Sequence, residues 1–200
     1  MELDRDIGLA FYVALVAAVG ACRLLELGLS RRNQRALAQR GIAIAGEPGF
    51  RWMVALHTGM LGAAVIEVVA LRRPFVAAVG VPALALFAAA NLLRWWVIAT
   101  MGRHWNVRVM GSTALGIVSD GPFRWIRHPN YVAVFVELAA LPMIHGAFLT
   151  ALGGSLLHAL VLRRRIALEE SILLADPRYR AVMGPKPRFL PVPWPAPRTF

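Results

Sequence analysis

The sequence predicts an all-α integral membrane protein, a helical bundle with about five transmembrane helices. Hydrophobic residues make up 58% of the 200-residue chain and charged residues only 16%, whereas soluble domains average about 45–50% and about 25%. Long apolar runs alternate with short arginine-rich segments, and about 20 apolar residues are enough to cross a bilayer. Residues 121–131 interrupt this pattern with a polar, aromatic and basic stretch that lipid contact does not explain.

Three apolar runs in the N-terminal half are long enough to cross a membrane: residues 7–29, 51–71 and 75–100. They define an N-terminal transmembrane region over residues 1–101. The arginine-rich segment 30–41 predicts a cytoplasmic loop or an interfacial helix. The N-terminus lacks the basic region of a signal peptide, so we expect the first run to be retained as a membrane span.

The second region, residues 102–200, is predicted to carry the chemistry. It begins with the irregular segment 102–131, which forms a cofactor loop in this interpretation. Two shorter apolar runs follow and predict a helical hairpin over residues 131–174, with a tight turn near 145–147. A proline-rich tail, residues 175–200, should be extended and lie along the headgroup surface.

The arginines predict the orientation of this multi-pass protein. Those at 31–40, 103–108 and 163–165 fall on one side of a five-span arrangement, and Arg72 and Arg73 fall on the other. By the positive-inside rule the more basic side is cytoplasmic. The irregular segment and the end of the last helix then form a cytosolic pocket, at the inner membrane if the source is a bacterium.

Charge and cysteine content limit the other partners. The formal net charge is +11, but the arginines flank apolar runs, where they would meet anionic lipid headgroups rather than nucleic acid. The chain has no separate soluble basic domain for nucleic-acid binding. Its single cysteine, Cys22, excludes an intrachain disulfide and a cysteine-based zinc cluster. We therefore expect the lipid bilayer as a partner, with no nucleic acid and no metal.

Polar residues from two segments are predicted to meet at one membrane depth. Arg165 and Glu169 are four residues apart and lie on the same face of the last helix, whereas Glu170 points about 100° away. His128 and Tyr131 stand where a membrane helix begins. An alternative is purely structural: the arginines anchor the topology, and the acids form surface ion pairs that contribute less than about 1 kcal/mol each.

Two polar residues lie inside the second apolar run. His57 and Glu67 are ten residues apart on one helix, so we do not expect them to pair. Hydrogen bonds within the bundle would explain both. An intramembrane acid is nonetheless a functional candidate, and Glu67 is therefore included as a candidate substrate-binding residue.

The stretch 121–131 reads Gly-Pro-Phe-Arg-Trp-Ile-Arg-His-Pro-Asn-Tyr, and Arg-Ile-Ala-Leu-Glu-Glu follows at 165–170. Together these motifs closely resemble the isoprenylcysteine carboxyl methyltransferase family. That family belongs to a wider group of integral-membrane methyltransferases that includes the phospholipid methyltransferases. The resemblance covers about residues 102–191. The N-terminal spans resemble those of the family only in being membrane spans.

The resemblance implies S-adenosylmethionine as the cofactor, in a site that is not a Rossmann fold. The sequence agrees, since it has no Gly-x-Gly-x-x-Gly after a strand. The family pattern implies that the cofactor is bound by Leu115, Gly116, Ile117, Val118, Phe123, His128, Pro129, Asn130, Tyr131, Glu169 and Glu170. It implies that Arg165 holds the substrate carboxylate, and we assign the catalytic role to Arg165 and His128. Arg108 and Phe123 depart from the family, where glutamine and tyrosine are common.

The expected function is methyl transfer to a carboxylate, or a phenolic hydroxyl, of a lipophilic substrate that bears a prenyl or alkyl chain. The enzyme would thus resemble a protein-S-isoprenylcysteine O-methyltransferase. A carboxylate is ionised at pH 7 and needs only an orienting cation, which Arg165 can supply through two hydrogen bonds. A phenol would also need a base, for which His128 and Glu67 are the candidates.

Three alternatives remain open at this point. A phospholipid N-methyltransferase is disfavoured because Arg165 would stand beside the amine. A sterol-reductase-like membrane enzyme would share a similar Arg-His-x-Asn-Tyr motif but use NADPH. A non-catalytic membrane scaffold would have no need for His128, Arg165 or Glu169.

Overall fold

The computed structural model describes residues 2–39, 41, 46–47, 49–109 and 116–191, and this part of the chain is helical without any strand. Six helices follow one another: α1 (Glu2–Ala38), α2 (Phe50–Ala70), α3 (Ala77–Met101), α4 (Pro129–Met143), α5 (Phe148–Leu173) and α6 (Pro177–Met183). Short 3₁₀ turns cover Gly102–His104 and Gly121–Arg124. The predicted all-α fold is confirmed.

Three of these helices are long and apolar enough to cross a bilayer: Ile7–Ala38, Phe50–Ala70 and Ala77–His104. The fourth apolar helix, α4, has 15 residues, which gives about 22 Å against a hydrocarbon core of about 30 Å. The chain is therefore a membrane protein. That α4 and α5 bring the number of crossings to about five stays a prediction.

The outer surface of the bundle is apolar. Along the first half of α5, four leucines at helical spacing form one exposed stripe: Leu149, Leu152, Leu156 and Leu160 are each more than 60% exposed. In water such a stripe would be costly, whereas in lipid it is ordinary. This surface favours contact between α5 and the hydrocarbon.

The predicted hairpin is formed by α4 and α5. The amide of Ala147 donates to Pro142 O at 2.9 Å, and Gly146 adopts a left-handed φ of 77° between the helices. A second glycine permits close packing here, because a Cβ on Gly80 of α3 would lie 2.6 Å from Ile144 O. The hairpin turn thus packs against the start of α3, at the end of the bundle away from residues 121–131.

The structure differs from the prediction at both ends of the chain. Helix α1 does not stop at residue 29. It continues to Ala38, and its 37 residues span about 55 Å, well beyond the hydrocarbon. Ser30 explains the continuation, since it is fully buried against segment 102–107 and its Oγ accepts from Val107 N at 3.1 Å. Near the other end, α6 forms within the tail predicted as extended, and Asp176 caps it by accepting from Arg178 N at 2.8 Å. Residues 192–200 lie outside the described residues.

Candidate active site

Tyr131 joins the two segments that the sequence predicts to meet. It lies in the first turn of α4 and is buried, and its hydroxyl accepts a hydrogen bond from Arg165 Nε at 3.0 Å. The same hydroxyl donates to the carboxylate of Glu169. Because Arg165 and Glu169 are four residues apart on α5, both reach one phenol. The three side chains form a single hydrogen-bonded row.

Arg165 also contacts two segments that precede the motifs. Its Nη1 lies 3.0 Å from Glu47 Oε1 and 2.8 Å from Met53 Sδ, and its Nη2 donates to Val107 O. Glu47 in turn accepts from Val109 N at 3.3 Å. The sequence analysis did not identify Glu47, which lies in a Gly-Glu-Pro-Gly stretch that is typical of a turn. Its position as the sole acid between Arg40 and Arg51 was the available signal.

Glu170 faces the other way, as its position predicts. Its carboxylate contacts His128 Nε2 at 3.0 Å, Arg127 Nη1 at 3.2 Å and Arg188 Nε at 3.0 Å. Glu170 lies in the last turn of α5, after the apolar part of that helix. Burial by itself would raise the pKa of its carboxyl, but hydrogen bonds from Arg188 and His128 and the charge of Arg127 outweigh burial and lower that pKa.

A polar cavity lies over this row of side chains. Eight of the predicted cofactor-binding residues line it: Gly116, Ile117, Val118, Phe123, His128, Asn130, Tyr131 and Glu169. Leu115 lies outside the described residues. Pro129 is buried as the first residue of α4 and does not line the cavity. Glu170 does not line it either, and its carboxylate contacts Arg127, His128 and Arg188.

The residues around the polar cavity fit S-adenosylmethionine. Glu169 and Arg108 supply opposite charges for the ammonium and carboxylate of an amino acid. Phe123 is among the aromatic rings of the wall, and aromatic faces attract cations such as a sulfonium. Asn130 Oδ1 and Trp105 Nε1 are buried without a hydrogen-bond partner among the described residues. A polar ligand could satisfy these two atoms.

The departures from the family pattern have visible consequences. The guanidinium of Arg108 lies over the ring of Phe50, 4.6 Å from its centroid, while Arg108 also lines the cavity. Phe123 lines the cavity with a ring that has no hydroxyl to donate. Helix α2 therefore supports Arg108 through Phe50, which the sequence did not predict.

A second cavity, of about 350 Å³, lies deeper in the bundle between α1, α2, α4 and α5. We call it the inner chamber. Five residues line both it and the polar cavity: Trp105, Asn106, Asn130, Tyr131 and Arg165. Tyr131 and Arg165 thus stand between two cavities, and the one near the end of the bundle has a more polar wall than the chamber within the bundle.

Glu67 is not part of this site. Its carboxylate accepts from Leu149 N at 3.1 Å and from Thr150 N at 2.7 Å, so it caps the start of α5. Thr150 is about 22 Å along the helix from Arg165. The structure therefore separates Glu67 from the residues with which it was grouped. As expected, it does not pair with His57, which contacts His158 instead.

The tail fixes the stretch 121–131 in place. The amides of Arg127 and His128 donate to Pro187 O at 2.9 Å and Arg188 O at 3.0 Å, and Lys186 Nζ donates to Phe123 O at 2.7 Å. Residues 186–189 thus lie against the cofactor loop, and the predicted location of the tail along the lipid headgroups stays a prediction. Nothing in its proline-rich composition distinguishes these two locations.

Comparison with known proteins adds to this geometry. The family model for the isoprenylcysteine carboxyl methyltransferase (ICMT) family matches residues 83–175, which include Tyr131, Arg165, Glu169 and Glu170. The chain belongs to this family. The ICMT family is a family of membrane methyltransferases, which agrees with the helical bundle and with the predicted site motifs.

Two bacterial proteins are similar over most of their length. The protein "Uncharacterized protein YpbQ" of Bacillus subtilis (strain 168) is 26% identical over 160 residues, which cover 80% of this chain and 94% of that protein. An "Uncharacterized protein" of Haemophilus influenzae is 30% identical over 160 residues, which cover 78% of this chain and 91% of the relative. The similarity therefore extends beyond residues 83–175 into the N-terminal helices.

Proposed function

We propose that this protein is an S-adenosylmethionine-dependent methyltransferase that modifies a carboxylate or a phenolic hydroxyl of a lipophilic substrate bearing a prenyl or alkyl chain. The observation that supports this most is the position of Tyr131 and Arg165 between two cavities that differ in polarity. The one near the end of the bundle has the larger polar share in its wall and suits a soluble cofactor. The other has the more apolar wall, lies within the membrane bundle, and suits a lipid.

The polar cavity would hold the cofactor, which supplies a methyl group on a sulfonium. Glu169 would bind its ammonium group. The indole N–H of Trp105 would donate to its polar atoms, and Asn130 Oδ1 would accept from them. Tyr131 would orient Glu169 through the hydrogen bond between them. Since methyl transfer requires alignment of donor and acceptor and exclusion of water, a rigid buried row of side chains suits the reaction.

Arg165 would orient the acceptor oxygen. Its Nη1 already binds the carboxylate of Glu47 at 3.0 Å, so a substrate carboxylate would compete with Glu47 for the same donor. A phenol would instead need a base, and His128, which lines the polar cavity, is the candidate for that role. Either acceptor suits a buried cation, whereas the amine of a phospholipid headgroup would be repelled by Arg165.

Two substitutions test the assignment of roles. Glu169→Gln should weaken binding of S-adenosylmethionine about tenfold, because a charged hydrogen bond contributes roughly 1.5–3 kcal/mol. Arg165→Ala should leave that binding nearly intact but lower kcat/KM for the acceptor about 100-fold, because the acceptor loses its orienting cation. Calorimetry on purified protein gives the first quantity, and transfer of a labelled methyl group to a native lipid extract gives the second.

Arg164→Ala is the matched control, since Arg164 is the exposed neighbour of Arg165 and should change neither quantity. Equal losses of both functions in Glu169→Gln and Arg165→Ala would contradict the separate roles. Binding of NADPH in place of S-adenosylmethionine would overturn the function itself. The labelled product, a methyl ester, a methyl ether or an N-methyl headgroup, identifies the acceptor.

A further inference from the structure

The inner chamber is more polar than a hydrocarbon chain requires. Its wall includes His57 and Thr58 from α2, Arg23 and Glu26 from α1, and Arg94 from α3. Polar and ionisable side chains at membrane depth are costly, and they face either one another or a functional cavity. A chamber that held only an alkyl or prenyl chain would be filled more stably by leucine and valine.

Two of these polar groups, His57 and its partner His158, lie at a defined distance from Arg165 along the bundle. Helices α2 and α5 pack side by side in opposite directions, so that Met53 meets Arg165, and His57 meets His158. His158 precedes Arg165 by seven residues, which is two helical turns on the same face and about 10 Å along the axis. The two histidines therefore mark a second polar level, about 10 Å deeper than the acceptor oxygen.

The histidine pair is incompletely satisfied. His57 Nε2 and His158 Nδ1 are 3.2 Å apart, so one of these nitrogens donates to the other. His158 is 2% exposed, and its Nε2 has no hydrogen-bond partner among the residues that the structure describes. Arg94 also lines the chamber, and its Nη1 is buried without a hydrogen-bond partner in this part of the chain, in an ion pair with Glu137 Oε2 at 3.9 Å. Unpaired polar atoms in such a site favour a ligand that pairs with them.

The chamber also has a route for an apolar chain. Leu24 of α1 lines it and is 70% exposed on the outer surface of the bundle. Val54 of α2 lines it on the other side of this opening and is also partly exposed. A chain that starts at Arg165 and passes the histidine pair can therefore leave between α1 and α2 into the lipid.

We infer that the acceptor carries a second oxygen function, a hydroxyl or a carbonyl, about 10 Å from the oxygen that is methylated, and that His57 and His158 bind it. The acceptor is thus an amphiphile with two polar groups and a terminal alkyl or prenyl part, rather than a chain that is hydrocarbon throughout. This inference rests on the proposed methyltransferase function, since Arg165 defines the position of the first oxygen.

The test uses pairs of lipids that differ only in the second oxygen. One pair is hexadecanoic acid and the same acid with a hydroxyl near the middle of its chain, and the other is the corresponding pair of alkylphenols. Binding to the purified full-length protein in detergent is measured by calorimetry, and methyl transfer is measured on the same samples. We expect the hydroxylated member of at least one pair to bind about tenfold more tightly, as one additional buried hydrogen bond implies.

His158→Leu should abolish this preference, and binding of S-adenosylmethionine to the variant, measured by calorimetry, shows that it folds. His158→Gln, which retains a hydrogen-bonding group, should restore part of the preference. Equal binding of both members of both pairs to the wild-type protein would overturn the inference, and so would a preference that survives in His158→Leu. Failure of the proposed function looks different, because it abolishes methyl transfer to every lipid without removing a binding preference.

Discussion

Two clusters of ion-paired side chains in this protein lie in different surroundings, and they balance their charges differently. The interface cluster comprises Arg127, His128, Glu170 and Arg188, at the end of the bundle that carries the polar cavity. The intramembrane cluster comprises Arg23, Glu26, Arg94 and Glu137, beside the inner chamber. The first has one carboxylate for two arginines, whereas the second has equal numbers of acids and bases.

The difference follows from access to water. The side chain of Arg188 is 55% exposed, so water stabilises the excess positive charge of the interface cluster. Glu26 and Arg94 are only 3% and 6% exposed, so each charge needs a partner within the protein. Glu26 accordingly accepts from Arg23 Nη1 at 2.8 Å and from Arg94 Nε at 2.9 Å. The comparison indicates that one cluster maintains the helix packing and the other positions the cofactor loop.

The largest effect is expected in the intramembrane cluster. Glu26→Ala should lower the free energy of unfolding by about 3–5 kcal/mol, because it leaves two arginines beside a single remaining acid in a buried site. Denaturant or thermal unfolding in detergent measures this loss. Arg31→Ala on the exposed part of the same helix is the control and should stay within about 0.5 kcal/mol of the wild type. A small effect of Glu26→Ala would show that water reaches this cluster.

An intermediate effect is expected from Arg188→Ala. The pair that Arg188 forms with Glu170 is half-exposed, so the free energy of unfolding should fall by no more than about 1 kcal/mol. Affinity for S-adenosylmethionine should nonetheless fall several-fold, since the Arg188 side chain holds the carboxylate of Glu170, which in turn contacts His128 Nε2 beside the cavity. Calorimetric titration of this variant and of Arg178→Ala, an exposed arginine on α6, separates the positioning role from a general loss of charge.

The smallest effect concerns pH. The pKa of Glu170 is lowered in the folded protein, so its ion pairs stabilise the fold above the unfolded-state pKa of about 4.3. That stabilisation is lost as the pH falls through the lower, folded-state pKa. The stability difference between wild type and Glu170→Gln should therefore be larger near about pH 6 than near about pH 3. Unfolding curves at several pH values check this, and a constant difference would indicate that Glu170 does not act through its charge.

Much of the site was predictable because helical spacing fixes which side chains share a face. Arg165 and Glu169 meet at Tyr131, while Glu170 points to His128, as their positions along one helix require. The cofactor role assigned to Glu170 stays a prediction, and its contacts could not be foreseen, because spacing gives the direction of a side chain but not the partners it finds. Arg127 and Arg188 occupy its carboxylate from two separate segments.

Other residues could not be placed from the sequence. Glu47 contacts Arg165 although more than 100 positions separate the two residues in the chain. Glu67 was grouped with the site only because an acid inside a membrane helix is a functional candidate. The role of His158 depends on its pairing with His57 of α2. These relations depend on how helices pack side by side, which hydropathy and motif spacing do not specify.

The sequence by itself determined that the chain is a membrane-embedded helical protein with a methyltransferase motif at residues 121–131 and 165–170. Composition and local spacing act over one or two helical turns, and they are sufficient for these conclusions. Only the tertiary structure decided that Tyr131 and Arg165 separate two cavities, that the tail lies against the cofactor loop, and that the inner chamber has a second polar level. The physical reason is that burial and pairing of polar groups are properties of packed helices, since water and lipid reach each side chain only as the neighbouring elements allow.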